Sequence, residues 1–282
     1  SKTNAKVPCA ITKRQVIFIK EQIIARLGEI EKENNVRILL AVESGSRAWG
    51  FASPDSDYDV RFIYVRPETD YLRLEKKRDV IELPINDVLD INGWDLQKTL
   101  RLLYRSNPTL FEWFSSPIVY TETPFAGQFR TLMTEYFSRK KSLYHYLSMA
   151  EGNLRKYLTG DTVRAKKYFY VLRPVLACRW VLNRRTPPPM RFSELARAEL
   201  PAELAGQVQR LLELLAKGLA QNEEAAHLDA AAGAACAGTN EHEHHQNFFG
   251  EGGPQVKVTA GKTGSGDDGT HLKGCLTHRF AK

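Results

Sequence analysis

Residues 45–60 read GSRAWGFASPDSDYDV and contain a Gly-Ser pair followed by an Asp-x-Asp pair. The segment lies between two stretches with the pattern of β-strands. Residues 36–42 form a nearly continuous apolar run, typical of a buried strand, and residues 58–65 alternate and are rich in β-branched and aromatic side chains. The sequence therefore predicts a strand, a turn-rich connection and a second strand that begins at the carboxylates.

The Asp-x-Asp pair is the part of this segment that suits a metal ion. Asp57 and Asp59 alternate with Tyr58, so both carboxylates project from one face of the predicted strand, about 6.6–6.8 Å apart along it. Like charges on one face repel unless a cation lies between them, and hard oxygen ligands suit Mg²⁺ or Mn²⁺. The alternative is that residues 54–57 form a turn whose acidic side chains only accept hydrogen bonds from backbone amides.

The Gly-Ser pair adds the features of a phosphate-binding turn. Gly45 lets the backbone approach a ligand closely. Ser46, at the start of a turn or helix, can offer its hydroxyl and backbone N–H groups to phosphate oxygens, and Arg47 can add a charge-assisted hydrogen bond. A phosphate-binding turn that leads into a carboxylate pair predicts phosphoryl or nucleotidyl transfer.

The rest of the pattern predicts an α+β first half followed by a helical second half. Residues 12–34 have apolar side chains at helical spacing, and two further strands are expected near residues 79–83 and 88–94. Asp95 is a good N-cap for the next helix, and Asn107-Pro108 begins another. From about residue 125 the pattern is helical almost throughout, with Asp161 as the cap of one basic helix and residues 202–226 as the last helix.

Charge is distributed unevenly along the chain, whose net charge is +7. Residues 139–191 hold 13 basic and two acidic residues, which leaves 27 basic against 31 acidic residues elsewhere. Such polarisation, with aromatic residues among the bases, favours a polyanionic partner such as RNA. A set of solvated helix faces is the alternative. The side chains predicted to contact phosphates are Arg155, Lys156, Arg164, Lys166, Lys167 and Arg173.

Composition excludes several classes of protein. The 282 residues include no run of about 18 apolar residues, so no transmembrane helix and no membrane partner are expected. The amino-terminal residues lack the pattern of a secretory signal, and four cysteines without motif spacing favour the reducing cytoplasm. Residues 229–282 hold 10 of the 19 glycines and five of the seven histidines, which predicts a disordered tail.

The quoted residues resemble a known family. Gly-Ser-x₁₀-Asp-x-Asp is similar to the signature of DNA polymerase β-type nucleotidyltransferases. The longer string GSRAWGFASPDSDYDVR, with Asp95, Lys98 and Asn107-Pro108 downstream, resembles the RNA-repair-pathway polymerase β family of bacteria and phages. The resemblance extends over about residues 12–225 and does not include residues 229–282.

This resemblance implies an activity and a set of site residues. The implied reaction is the Mg²⁺- or Mn²⁺-dependent transfer of a nucleoside monophosphate from an NTP, with ATP favoured, to an acceptor hydroxyl. In the superfamily three carboxylates hold two divalent ions. Asp57 and Asp59 match the first two, and Asp90 is preferred as the third over Asp95, with Asp87 and Glu82 behind. The expected nucleotide-binding residues are Gly45, Ser46, Arg47, Lys156 and Lys167.

The resemblance and the charge together predict the organisation and the acceptor. We expect a nucleotidyltransferase domain in residues 1–122, a basic helical domain in residues 123–228 and a tail in residues 229–282. RNA, such as a cleaved tRNA end, is the favoured acceptor. One alternative is adenylylation of a protein hydroxyl, as in antitoxin-like nucleotidyltransferases. The other is a non-catalytic RNA-binding module.

Overall fold

The computed structural model describes residues 13–53, 56–84, 88–158 and 163–216, which all belong to one structural unit. The first half contains all five strands of the described residues. The elements in chain order are α1 (Lys13–Asn34), β1 (Arg37–Glu43), α2 (Gly45–Trp49), β2 (Tyr58–Val65), α3 (Glu68–Tyr71), β3 (Val80–Glu82), β4 (Leu89–Asp95), α4 (Leu96–Tyr104), α5 (Pro108–Phe114) and β5 (Val119–Glu122).

The strands form one mixed sheet in the order β3-β4-β2-β1-β5. Strand β2 runs parallel to β4, whereas the other neighbouring pairs are antiparallel. Parallel strands require a crossover connection, and the described part of the connection between β2 and β4 contains α3 and β3. Because β2 and β4 run in the same direction and are neighbours, the residues that begin these two strands lie close together at one end of the strands.

Each face of the sheet is covered by helices. Ile23, Leu27 and Ile30 recur at helical spacing on α1 and pack against alternate residues of β2, including Val60 and Phe62. The opposite face carries α4, α5 and α6 (Pro124–Tyr136), whose apolar side chains pack around Ile63 of β2. Helices therefore pack on both faces of the sheet.

The second half is helical. It contains α6, α7 (Arg139–Tyr157), α8 (Ala165–Arg184), α9 (Phe192–Glu199), a 3₁₀ turn (Ala202–Leu204) and α10 (Ala205–Ala216). Helices α8, α9 and α10 enclose a third apolar cluster, and Phe51 from the first half packs in it against Phe169 and Phe192. The segment after Gly45-Ser46 is thus anchored on the helical half.

The α+β fold class predicted from the sequence is confirmed, and the bounds of β2 match the prediction. Strand β5 was not predicted, because four residues followed by Thr-Pro give too short an alternating pattern, and it pairs with β1 at the sheet edge. The predicted helix over residues 202–226 begins instead with the 3₁₀ turn. Asp161, Asp87 and the 229–282 tail lie outside the described residues, and the domain boundary at residue 122 stays a prediction.

In the part of the chain that the structure describes, no helix is both long enough and apolar enough to cross a bilayer.

Candidate active site

Three of the predicted carboxylates lie at the amino-terminal ends of β2 and β4. Asp57 immediately precedes β2, and Asp59 is the second residue of that strand. Asp90 on β4 is directly opposite Asp59 in the parallel register. Asp57 and Asp59 share a face of the chain because side chains alternate along a strand. The structure therefore brings together the three acids that the sequence analysis favoured.

The rival third carboxylate, Asp95, lies at the other end of β4. It pairs in register with Tyr64, five positions along the strand from Asp59. Its side chain is the N-cap of α4, where it accepts a hydrogen bond from the Gln97 amide at 2.8 Å, and it also accepts one from the Tyr71 hydroxyl. Asp95 therefore stabilises a helix start. Glu82, on edge strand β3, interacts with Arg78 and Asn92 instead.

Arg61 links two of the three carboxylates, and the sequence analysis did not single it out. Its Nη2 donates to Oδ1 of Asp59 at 2.9 Å and to Oδ2 of Asp90 at 2.7 Å. The same side chain donates from Nη1 to the Asp90 carbonyl oxygen at 2.8 Å. The signal available in the sequence was its position two residues after Asp59, on the same strand face.

Negative charge is concentrated around Asp59. Burial raises the pKa of its carboxyl above the usual value, and the charges of Asp57 and Asp90 act in the same direction. Arg61 and Lys166 oppose this by stabilising the ionised form. Neighbouring negative charges that disfavour the ionised form of Asp59 favour an added cation beside it.

The donor set fits a hard divalent cation, since it consists of carboxylate oxygens. Within the described ranges, however, no three His, Cys, Asp or Glu side chains are close enough to one another to enclose an ion. Arg61 lies between Asp59 and Asp90 and holds one oxygen of each. The chemistry of the site therefore suits Mg²⁺ or Mn²⁺, while its present arrangement is satisfied by a guanidinium.

Gly45 is fixed by its contact with Asp59. Its φ of +58° is a left-handed conformation that favours glycine. A Cβ at this position would lie 1.9 Å from Oδ2 of Asp59. The adjacent Ser44 amide donates to the Asp59 carbonyl oxygen at 2.8 Å. The turn is therefore packed directly on the central carboxylate, which only a glycine permits.

Ser46 belongs to a chain of polar groups that reaches the helical half. Its buried hydroxyl donates to Oγ of Ser56 at 3.2 Å. Nζ of Lys166, one residue inside α8, donates to the same Ser56 oxygen at 3.0 Å. Two hydroxyls and an ammonium thus converge beside the carboxylates, and this set can bind phosphate oxygens.

Arg47 holds the loop that leads into the carboxylates. Its Nε donates to the Asp57 carbonyl oxygen at 3.0 Å, and its Nη2 donates to the Ser56 carbonyl oxygen. The guanidinium also lies 3.7 Å from the centre of the Tyr58 ring. These contacts give Arg47 a positioning role, and its contact with a nucleotide stays a prediction.

Glu43 is a buried acid that the sequence analysis missed. Its Oε1 accepts a hydrogen bond from the Asp59 amide at 2.8 Å, and its Oε2 accepts one from the Tyr120 hydroxyl. Burial raises the pKa of Glu43 to about 7, although these hydrogen bonds oppose the shift. An acid at the end of an apolar strand, two residues before Gly45, was the available signal. Glu43 fixes the backbone of Asp59.

Lys156 and Lys167, both predicted to bind the nucleotide, lie around Tyr157. Lys167 Nζ is 3.9 Å from the centre of the Tyr157 ring and 4.9 Å from that of Tyr170, and Lys156 Nζ is 5.0 Å from the Tyr157 ring. Burial raises the pKa of Tyr170 to about 12, and the charges of Asp59 and Asp57 contribute. Lys156 and Lys167 therefore lie next to an aromatic group that borders the carboxylates. The contact with Ser56 is made by Lys166.

The structure corrects the expectation for Arg173. Its side chain is buried and pairs with Glu112 at 2.9 Å, where the Tyr146 hydroxyl also donates to the same carboxylate. Its guanidinium donates further to the Met190 carbonyl oxygen. Arg173 joins α8 to α5, and it is not available for a phosphate contact.

The chain is similar to several known proteins. Residues 19–247 match the model of the RNA repair pathway DNA polymerase beta family. Over 203 residues the chain is 54% identical to the "Uncharacterized protein YcgL" of Bacillus subtilis (strain 168), an alignment that covers 71% of this chain and 78% of that protein. A solved nucleotidyltransferase-like protein from Exiguobacterium sibiricum 255-15 aligns at 14% identity with a TM-score of 0.28, over 70% of this chain and 72% of that one.

Proposed function

Because the chain belongs to the RNA repair pathway DNA polymerase beta family, we propose that it transfers a nucleoside monophosphate from an NTP to an acceptor hydroxyl. The family and fold support a polymerase β-type nucleotidyltransferase. Our proposal adds ATP as the favoured nucleotide, Mg²⁺ or Mn²⁺ as the cofactor, and an RNA end, such as that of a cleaved tRNA, as the acceptor in the cytoplasm.

The observation that carries this proposal is the packing of Gly45-Ser46 against Asp59, with Asp57 and Asp90 beside it. These three carboxylates would hold the divalent ions. The ions would neutralise charge on the triphosphate and lower the pKa of the acceptor hydroxyl. A phosphate-binding turn beside neighbouring carboxylates supplies the residue types that nucleotidyl transfer needs.

The chain's own residues account for binding and orientation. The Ser46 and Ser56 hydroxyls and the Lys166 ammonium converge beside the carboxylates and offer contacts to the triphosphate. Glu43 and Arg47 fix the backbone of the two strand-start acids. Most of the catalytic effect in such a site comes from positioning and charge stabilisation, because little covalent chemistry is required of the protein.

RNA is favoured over a protein acceptor by the basic residues near the site. Lys156, Lys166 and Lys167 lie on α7 and α8, at or next to the aromatic group that borders the carboxylates. Lysines interleaved with tyrosines suit a single strand, since they offer both phosphate contacts and stacking.

The proposal is tested by incubating the protein with each α-labelled NTP, Mg²⁺ and either bulk RNA or cell lysate. We expect label from ATP on RNA and none when Mg²⁺ is chelated. Label on a protein instead would support the adenylylating alternative. RNA binding without any label would support the non-catalytic alternative.

The Gly45→Ala substitution should lower the transfer rate by about a hundredfold, because the new Cβ displaces the Asp59 carboxylate and misplacement of about 1 Å has effects of this size. Gly50→Ala is the matched control, since Gly50 also has a positive φ of 86° but nothing within 4 Å of its Cβ position. Both variants should lose about 1–2 kcal/mol of stability from backbone strain. Equal activity of the two variants would contradict the role given to the Gly45 contact.

Replacing Lys156 and Lys167 together by Ala should reduce the salt dependence of RNA binding. Each lost phosphate contact removes about 0.7 from the slope of log K against log salt on single strands. The exposed lysines Lys20 and Lys32 of α1 give a double variant with the same change of charge. Titration of a labelled RNA at several salt concentrations distinguishes them, and equal slopes for the two variants would argue against RNA binding at Tyr157.

A further inference from the structure

Arg61 occupies the space that separates Asp59 from Asp90. A single nitrogen, Nη2, donates to both carboxylates at 2.9 and 2.7 Å. Nη1 donates to the carbonyl oxygens of Asp90 at 2.8 Å and Val60 at 3.1 Å. The guanidinium is therefore fixed by four hydrogen bonds, and one of its nitrogens bridges an oxygen of each acid.

Little water can screen this arrangement. The side chains of Arg61, Asp59 and Asp90 are 17%, 20% and 26% exposed. Two carboxylates in parallel register at this depth repel each other strongly unless a cation lies between them. Arg61 is the largest favourable charge acting on Asp59, and Lys166 contributes less. In the absence of metal, Arg61 therefore offsets the repulsion between Asp59 and Asp90.

From this geometry we infer that Arg61 is a built-in counter-cation, which holds Asp59 and Asp90 together before metal binds and is displaced from them by the divalent ion. This inference rests on the metal dependence in the proposed function. An ion that bridged these same two oxygens would take the position that Nη2 now holds, 2.9 Å from Oδ1 of Asp59 and 2.7 Å from Oδ2 of Asp90. The ion therefore competes with the guanidinium, so its apparent affinity in the wild-type protein is reduced by the fraction of molecules in which Arg61 is in place.

Arg61→Met tests the inference by removing the competitor. Without metal, the variant should melt at a lower temperature than the wild type, because two carboxylates lose their shared partner. Mn²⁺, titrated without nucleotide and followed by calorimetry, should bind it at least about tenfold more tightly. The increase in melting temperature on adding Mn²⁺ should also be larger than in the wild type.

Arg66→Met is the matched control. Arg66 follows β2 directly, is largely buried, and pairs with Asp95 at 3.7 Å, at the opposite end of the strand from Asp59. This variant should lose stability without any change in Mn²⁺ affinity. Arg61→Lys keeps the charge but cannot bridge both acids in the same way, so it should bind Mn²⁺ with intermediate affinity. It also provides the test if Arg61→Met does not fold.

The outcomes separate this inference from the function on which it rests. Wild-type Mn²⁺ binding that is lost in Asp59→Asn, together with equal or weaker binding in the Arg61 variants, would overturn the inference and leave the metal site in place. In that case the guanidinium orients the carboxylates around the ion. If neither the wild type nor the Arg61 variants bind Mn²⁺, both the inference and the metal dependence are wrong.

Discussion

Asp59→Asn should lower the rate of nucleotidyl transfer by on the order of 10³-fold or more, which corresponds to about 4 kcal/mol of transition-state stabilisation. Asparagine keeps the volume of the side chain and can still accept the hydrogen bond from Arg61. It removes the charge that lies between Asp57 and Asp90 in the proposed ion-binding set. The loss should therefore appear in activity and metal binding, while the fold remains intact.

Stability distinguishes a lost ligand from a damaged fold. Burial already disfavours the charged form of Asp59, so the metal-free melting temperature of Asp59→Asn should equal or exceed that of the wild type. Added Mg²⁺ should no longer stabilise the variant. Wild-type turnover in Asp59→Asn would contradict the proposed active site.

A pair of matched variants tests the third carboxylate. Asp90→Asn should lose activity as Asp59→Asn does, because it stands opposite Asp59 in the register. Asp95→Asn should remain active, since asparagine is also a good N-cap for α4 and Asp95 lies at the far end of β4. The opposite result would assign the third position to Asp95.

Arg173→Met should destabilise the protein by about 3–5 kcal/mol, the effect expected when one partner of a buried ion pair is removed. The Arg173 side chain is 2% exposed, and its partner Glu112 would be left as an uncompensated charge among apolar groups. The Tyr146 hydroxyl cannot replace the lost charge. Urea unfolding measures the change directly.

Two further variants serve as controls for the stability loss expected in Arg173→Met. Arg155→Met breaks a pair on α7 with Glu151 in which the two side chains are 74% and 53% exposed, so it should cost no more than about 1 kcal/mol. The double variant Glu112→Leu/Arg173→Met should be less destabilised than Arg173→Met alone, because no charge remains buried. A loss in Arg173→Met no greater than that in Arg155→Met would show that the buried pair contributes little.

The part of the fold that sequence reasoning captured is the part set by local pattern. Alternation along residues 58–65 gives β2, and Asp95 before an apolar helical repeat gives α4. Strand β5 depends on pairing with β1 at the sheet edge, and its four residues carry too little pattern of their own. Edge strands of this kind are specified by tertiary contacts.

In the candidate site, too, some residues are indicated by local sequence pattern and others depend on contacts between distant parts of the chain. Asp57, Asp59 and Gly45 are recognisable from spacing, because the chemistry requires those residue types close together in the chain. Glu43 acts through a hydrogen bond to a neighbouring strand, which spacing does not reveal. The basic pattern predicts a phosphate contact for Arg173, yet Arg173 is buried in an ion pair with Glu112. Charge counted along the sequence does not separate a phosphate contact from a structural pair.

The parallel pairing of β2 with β4 has a consequence for how the protein folds. Asp90 follows Arg61 by 29 residues in the chain. Asp59 and Asp90 therefore meet only after the crossover has closed a loop and β2 has paired with β4. The unfolded chain therefore has no assembled site with which a divalent ion could nucleate folding. Mg²⁺ should slow unfolding and leave the refolding rate unchanged if this strand pair forms after the transition state.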